Sequence, residues 1–148
     1  MPRSQHHTLT RRLLACATLL SACAGCVSPS QPPPPPGGGQ RLALSASRYS
    51  TDVAPVVMRH GCDAGGDCHG GGPRGTLQLS PQGAKDLAYD FEQLSLQVNP
   101  VSRDSSALLL RPLADEAGGR PHPYKAFAST ADTDYVAVRG WIQAGVLQ

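Results

Sequence analysis

Charge is scarce in this chain. Only 16% of its 148 residues are Asp, Glu, Lys or Arg, and 5% are aromatic. A coiled coil or a long helical bundle needs densely charged faces and is excluded. The one sustained apolar run, Leu13 to Leu20, is about half the ~20 residues a membrane-spanning helix requires. Positive charge is also short once its location is considered: Arg3, Arg11 and Arg12 fall in a removable leader, leaving 10 basic residues against 11 acidic ones. No basic patch remains for nucleic acid or an anionic surface. Gly70-Gly71-Gly72 lacks the Lys-Ser/Thr of a phosphate loop, and no serine-nucleophile motif or suggestively spaced carboxylate pair is present. Asp63 and Asp67 lack the run of oxygen ligands that calcium takes and read as solvated loop charges.

Glycine and proline are plentiful, at 16 and 14 residues. Arg11-Arg12, the apolar run and Ser21-Ala22 form the n-region, h-region and small-residue break of a secretory signal. Leu20-Ser21-Ala22-Cys23 resembles the bacterial lipobox, with Cys26 the lesser alternative. The expected organisation is a lipoprotein signal peptide over 1–22, a lipidated Cys23 with a Pro/Gly-rich tether over 23–40, and one folded domain over 41–148. By resemblance to known sorting behaviour, Ala24 after Cys23 implies the outer membrane of the bacterial envelope, facing the periplasm. Pro32 to Pro36 favour an extended polyproline II rod, with Gly37 to Gly39 as a swivel.

The folded part reads as a small, mainly α domain with long loops. Thr51 or Asp52 is positioned to cap a first helix, with Pro55 in its first turn and an end near His60. Ser80-Pro81 predicts a middle helix, Ser105 or Ser106 another through Leu110, and Pro112 stops it. Asp132 or Thr133 caps a last helix ending at Gly145, whose Tyr135, Val138, Trp141 and Ile142 share one face. Gly140 within it suggests a close helix crossing. Strand content is expected to be small, with alternation only over 76–79.

The chemistry concentrates in His60-Gly61-Cys62-Asp63-Ala64-Gly65-Gly66-Asp67-Cys68-His69-Gly70. Exported thiols do not persist unused. A Cys62–Cys68 disulfide, a zinc site from His60, Cys62, Cys68 and His69, and covalent haem all remain open on local grounds. In a c-type attachment site two thiols bind the haem vinyl groups and the histidine beside the second is aimed at the iron. Here the gap between the cysteines is five residues rather than two, and Gly65-Gly66 supply the turn freedom a longer loop needs.

The order Asp52-Val53-Ala54-Pro55-Val56-Val57, His60-Gly61-Cys62, Cys68-His69-Gly70, Leu77-Gln78-Leu79-Ser80, Asp90, Ser106-Ala107-Leu108-Leu109-Leu110, Pro121-His122 and Asp134-Tyr135 through Trp141-Ile142-Gln143-Ala144-Gly145 resembles a bacterial, planctomycete-type cytochrome c-like family over about residues 50–147. The resemblance implies a cytochrome c-like helical fold and one covalent haem c, with Cys62 and Cys68 as thioethers, His69 as proximal iron ligand and His122, followed by Pro123, in the distal slot. It implies electron transfer between redox protein partners rather than enzymatic catalysis, with the membrane reached only through the lipid on Cys23. Met58 reads as core, His60 as an exposed helix-end residue, and Trp141, Phe127 and Tyr135 as haem shields or plain core. The alternative reading is a haemless, disulfide-stapled lipoprotein serving as a structural or interaction module.

Overall fold

The computed structural model describes residues 41–72 and 75–148, all within one compact unit, Gln40–Gln148. The expected leader, Cys23 and the tether lie outside the described residues. The domain is mainly helical. Its two short strands, β1 (Leu42–Ala43) and β2 (Val146–Leu147), pair antiparallel and bring the ends of the domain together. No strand forms over 76–79.

The first helix starts earlier than its proline suggested. Ser45 caps it, its hydroxyl accepting from Arg48 N–H at 3.2 Å. Ala46–Arg48 is α-helical, Tyr49–Val53 makes π turns, and Ala54–Arg59 is α-helical again. These three follow without a break and together form α1 (46–59). Pro55 has no N–H to offer to a preceding carbonyl. The π turns, in which Ala54 N–H bonds Tyr49 O, change register just before it, so Pro55 falls in the first turn of the resumed α-helix. Thr51 and Asp52 bond each other on the exposed side at 2.7 Å instead of capping.

Ser80 does not start a helix either, because its hydroxyl donates to Asp90 and accepts from Asp86 N–H. A short 3-10 turn, Gln82–Ala84, follows Pro81. Helix α2 (Leu87–Ser95) begins only after Asp86, whose carboxylate accepts from Ala88 N–H and Tyr89 N–H. Helix α3 (Ala107–Leu110) starts after Ser106 as expected and stops before Pro112. Helix α4 (Thr133–Gln143) is capped by Asp132 and buries Tyr135, Val138, Trp141 and Ile142, the face its periodicity marked.

The core is where α4 meets α1. Tyr49, Phe91 and Trp141 form a three-ring cluster with centroids 5.7–6.2 Å apart, and Trp141 Nε1–H donates to Ser45 O at 2.9 Å. Gly140 is not the close approach its sequence position implied, since a Cβ there would meet nothing within 4 Å. The close approach is at Gly145, where a Cβ would lie 2.8 Å from Leu42 Cγ and 3.0 Å from Leu44 Cδ2. No helix among the described residues is long and apolar enough to cross a membrane.

The two glycines give opposite expectations. Gly140→Ala should stabilise the domain by about 0.5–1 kcal/mol, through helix propensity and a less flexible unfolded chain. Gly145→Ala should destabilise it, because β1 must shift to admit the methyl group. Urea midpoints of the two variants check this, and equal shifts of the same sign would contradict it.

Candidate functional site

Helix α1 ends in a way that places Cys62. Gly61 adopts φ +63°, its N–H bonds Met58 O at 3.0 Å, and Cys62 N–H reaches back to Val57 O at 3.0 Å. This is a Schellman ending, in which the residue after the left-handed glycine packs against the last helical turns. Cys62 is that residue, and it packs against the core. Burial, helped by the charges of Asp63 and Cys68, pushes its thiol up to about 11. The thiol is therefore protonated at neutral pH and is not poised as a nucleophile.

The wide gap between the cysteines is taken up by a loop that folds back on itself. His69 N–H donates to Cys62 O at 2.9 Å and Gly70 N–H to Ala64 O at 3.0 Å, with Gly66 at φ +69° turning the chain between them. Gly70 must be glycine, because a Cβ there would fall 1.8 Å from Asp63 O. Cys62 and Cys68 are separate, half-buried thiols at the two ends of this loop. The next segment fixes His69. Leu79 N–H bonds His69 O, and Leu77 O accepts from His69 Nδ1–H at 3.0 Å. A carbonyl only accepts, so Nδ1 carries the proton and Nε2 is left with a lone pair.

Beneath the loop lies a feature that the linear spacing did not reveal. Asp63, expected as a solvated loop charge, has a side chain with no exposure at all, and so does Asp90. Lys85 Nζ bridges them, 3.0 Å from Asp63 Oδ2 and 2.5 Å from Asp90 Oδ2, and also donates to Ser80 O. The contact to Asp63 Oδ2 is an ion pair without hydrogen-bond alignment. Gln82 donates to Asp63 Oδ1, while Ser80 N–H and Oγ–H both donate to Asp90. Burial alone would lower the Lys85 ammonium, but the hydrogen bond to Asp90 and the charges of Asp90 and Asp63 outweigh it and raise it. Tyr49 stands beside both carboxylates; its hydroxyl is buried without a hydrogen-bond partner. Burial first, then Asp90 and Asp63, push that phenol well above its usual range.

His122 comes from the opposite side on a loop pinned at its base. Leu113 and Phe127 form a parallel bridge, with Phe127 N–H on Pro112 O and Ala114 N–H on Phe127 O. Lys125 Nζ staples the interior of this loop to Asp115, Arg120 O and Arg111 O. His122 Nδ1 donates to Tyr124 O at 2.6 Å. Tyr124 N–H lies 3.3 Å from the same nitrogen, but a protonated nitrogen cannot accept, so the shorter contact sets the tautomer. The His69 and His122 rings stack, with centroids 6.0 Å apart and planes 22° from parallel. Two imidazoles each about 2 Å from one ion would have ring centres roughly 6 Å apart.

The other histidine of the motif is diverted. His60 is half-buried rather than exposed, with Nε2 2.8 Å from Asp134 Oδ2 and its ring edge-on to Phe127. Arg59 completes this link between the end of α1 and the start of α4. Asp134 is held below the usual carboxylate range by Arg59 first, and by His60. Met58 is 42% exposed, not core. Trp141, Phe127 and Tyr135 are core residues packed on one another's neighbours, and none makes a ring contact with His69 or His122. Among the described residues no three His, Cys, Asp or Glu side chains gather as a metal-ion site. A zinc ion held by protein alone needs four donors. Two thiols and two neighbouring imidazoles are donors of the kinds a c-type haem site uses. No family model matches the chain, and no curated protein or solved structure shows significant similarity to it.

Lys85→Ala should cost about 3 kcal/mol, because it leaves two buried carboxylates uncompensated. The raised ammonium means that Lys85's contribution is complete below the ordinary lysine range and is lost as pH rises through the raised value. The gap in stability between wild type and variant should therefore be constant through neutral pH and narrow in strong alkali. Urea unfolding across pH measures it, and a gap that widened in alkali would refute the assignment.

Proposed function

We propose that this chain is a lipid-anchored monohaem c-type cytochrome that passes electrons between redox proteins of the bacterial periplasm. The observation that carries this reading is the pair His69 and His122, near-parallel at 6.0 Å, each with Nδ1 bound to a backbone carbonyl and no hydrogen bond at Nε2 among the described residues. In this reading Cys62 and Cys68 hold the haem as thioethers, His69 is the proximal ligand and His122 the distal one. The sequence order shared with the cytochrome c-like family supports it independently. A bound haem supplies a one-electron iron couple.

The chain's own groups would do the rest. The Leu77 and Tyr124 carbonyls fix each imidazole's tautomer and add to its basicity, as second-shell acceptors do for metal-bound histidine. The Schellman ending fixes Cys62, and the folded loop closed by the His69-to-Cys62 hydrogen bond would hold Cys68 as the second thioether. Rigid ligands limit rearrangement as the iron changes charge. Two imidazoles favour a low potential relative to a His/Met pair. Making and breaking of substrate bonds is not asked of the protein, so it is proposed as a carrier and not as an enzyme. Cys23 would anchor it to the outer membrane, and no nucleic-acid partner is proposed.

The protein exported from a host with haem-attachment machinery should carry the mass of one haem after denaturation and give sharp visible bands on reduction. A colourless product two hydrogens lighter than its reduced form would replace this reading with the disulfide-stapled module.

A further inference from the structure

The buried charges beneath the attachment loop do not cancel. Asp63 and Asp90 contribute two negative charges and Lys85 one positive, and among the described residues no second cation pairs with either carboxylate. The Tyr49 phenol beside them stays neutral, since its proton is held above the ordinary range. Among the described residues the cluster thus carries one more negative charge than positive, on carboxylates that salt screens poorly.

Its location matters. Asp63 follows Cys62 directly and lies inside the turn closed by the His69-to-Cys62 and Gly70-to-Ala64 hydrogen bonds. Asp90 grips Ser80, three residues beyond the Leu77 carbonyl that orients His69. The cluster thus includes the residue that follows Cys62 and is joined through Ser80 to the segment that orients His69.

Resting on the haem reading above, we propose that Asp63, Lys85 and Asp90 set the reduction potential, by holding an uncompensated negative charge beside the haem that favours its ferric over its ferrous state. Apart from the propionates, haem carries one positive charge when ferric and none when ferrous. The electron delivered by a redox partner removes the charge that the cluster attracts. The step expected for one unit charge is about tenfold in such an equilibrium, which is ~59 mV for one electron.

The test is a redox titration of the holoprotein, followed by its visible spectrum. Asp63→Asn keeps the shape, removes the charge, and should raise the potential by about that tenfold step while leaving the low-spin bands unchanged. Lys85→Gln leaves the carboxylates uncompensated and should lower it. Tyr49→Phe deletes an unpartnered hydroxyl without changing charge and should leave it in place. A purely structural role would move the first two variants in the same direction, and that result, or no movement with intact bands, overturns the proposal. If Asp63→Asn does not fold, the sign of the Lys85→Gln shift decides. A colourless wild-type protein would instead bring down the haem reading itself.

Discussion

Lys85 reaches between two carboxylates that have no contact with water, and much of the domain is arranged around that one contact. Removing an unpaired carboxylate from water costs several kcal/mol, so Asp63 and Asp90 are tolerated inside only while Lys85, Ser80 and Gln82 supply partners. The partners come from the short segment 80–85, and the two carboxylates from either side of it. Asp63 lies in the loop after α1, Ser80 follows the segment that orients His69, Lys85 precedes α2, and Asp90 stands on α2. The cluster therefore ties the loop of Cys62 and Cys68 to the helix beneath it. It also explains why Ser80 cannot cap a helix of its own, since its hydroxyl is already committed to Asp90 and Asp86.

From that fixed base the two histidines meet through independent routes. His69 is held by the 77–79 segment, which the cluster anchors at Ser80. His122 is held by a loop closed at Leu113 and Phe127 and stapled from within by Lys125. Neither ring is set by the other, yet the two stack with centroids 6.0 Å apart and planes 22° from parallel. On the proposed reading, that separation is the one two ligands of a single ion would have. The aromatic residues, by contrast, build the α1–α4 core on the other side of Tyr49. They give the fold its rigidity without lining the imidazole pair.

The parts legible in the sequence are those written in local chemistry. The face of α4, the stop at Pro112 and the Cys68-His69 pair all follow from spacing, periodicity or backbone preference. The reading failed where a distant partner decided the outcome. Asp63 looked solvated because its cation lies 22 positions away, and no linear pattern marks that pairing. His60 looked exposed because Asp134 comes from the far end of the chain. Pro55 suggested a helix start, but π turns let the helix continue through it from Ser45. Gly140 suggested a crossing that Gly145 makes instead, because β1 folds over the end of α4 and not over its middle. One missed signal was present: His60-Gly61 before an apolar Cys62 is a helix ending with a left-handed glycine, and it could have placed Cys62 in advance.

The central claim is that His69 and His122 face each other to hold one iron between them. X-ray absorption at the iron edge of the oxidised, full-length holoprotein tests it directly. The account predicts a shell of six nitrogen neighbours with the scattering of two imidazoles and no directly bonded sulfur. A five-coordinate iron, a sulfur ligand, or a single imidazole would contradict it and leave the pairing of the two histidines without a function.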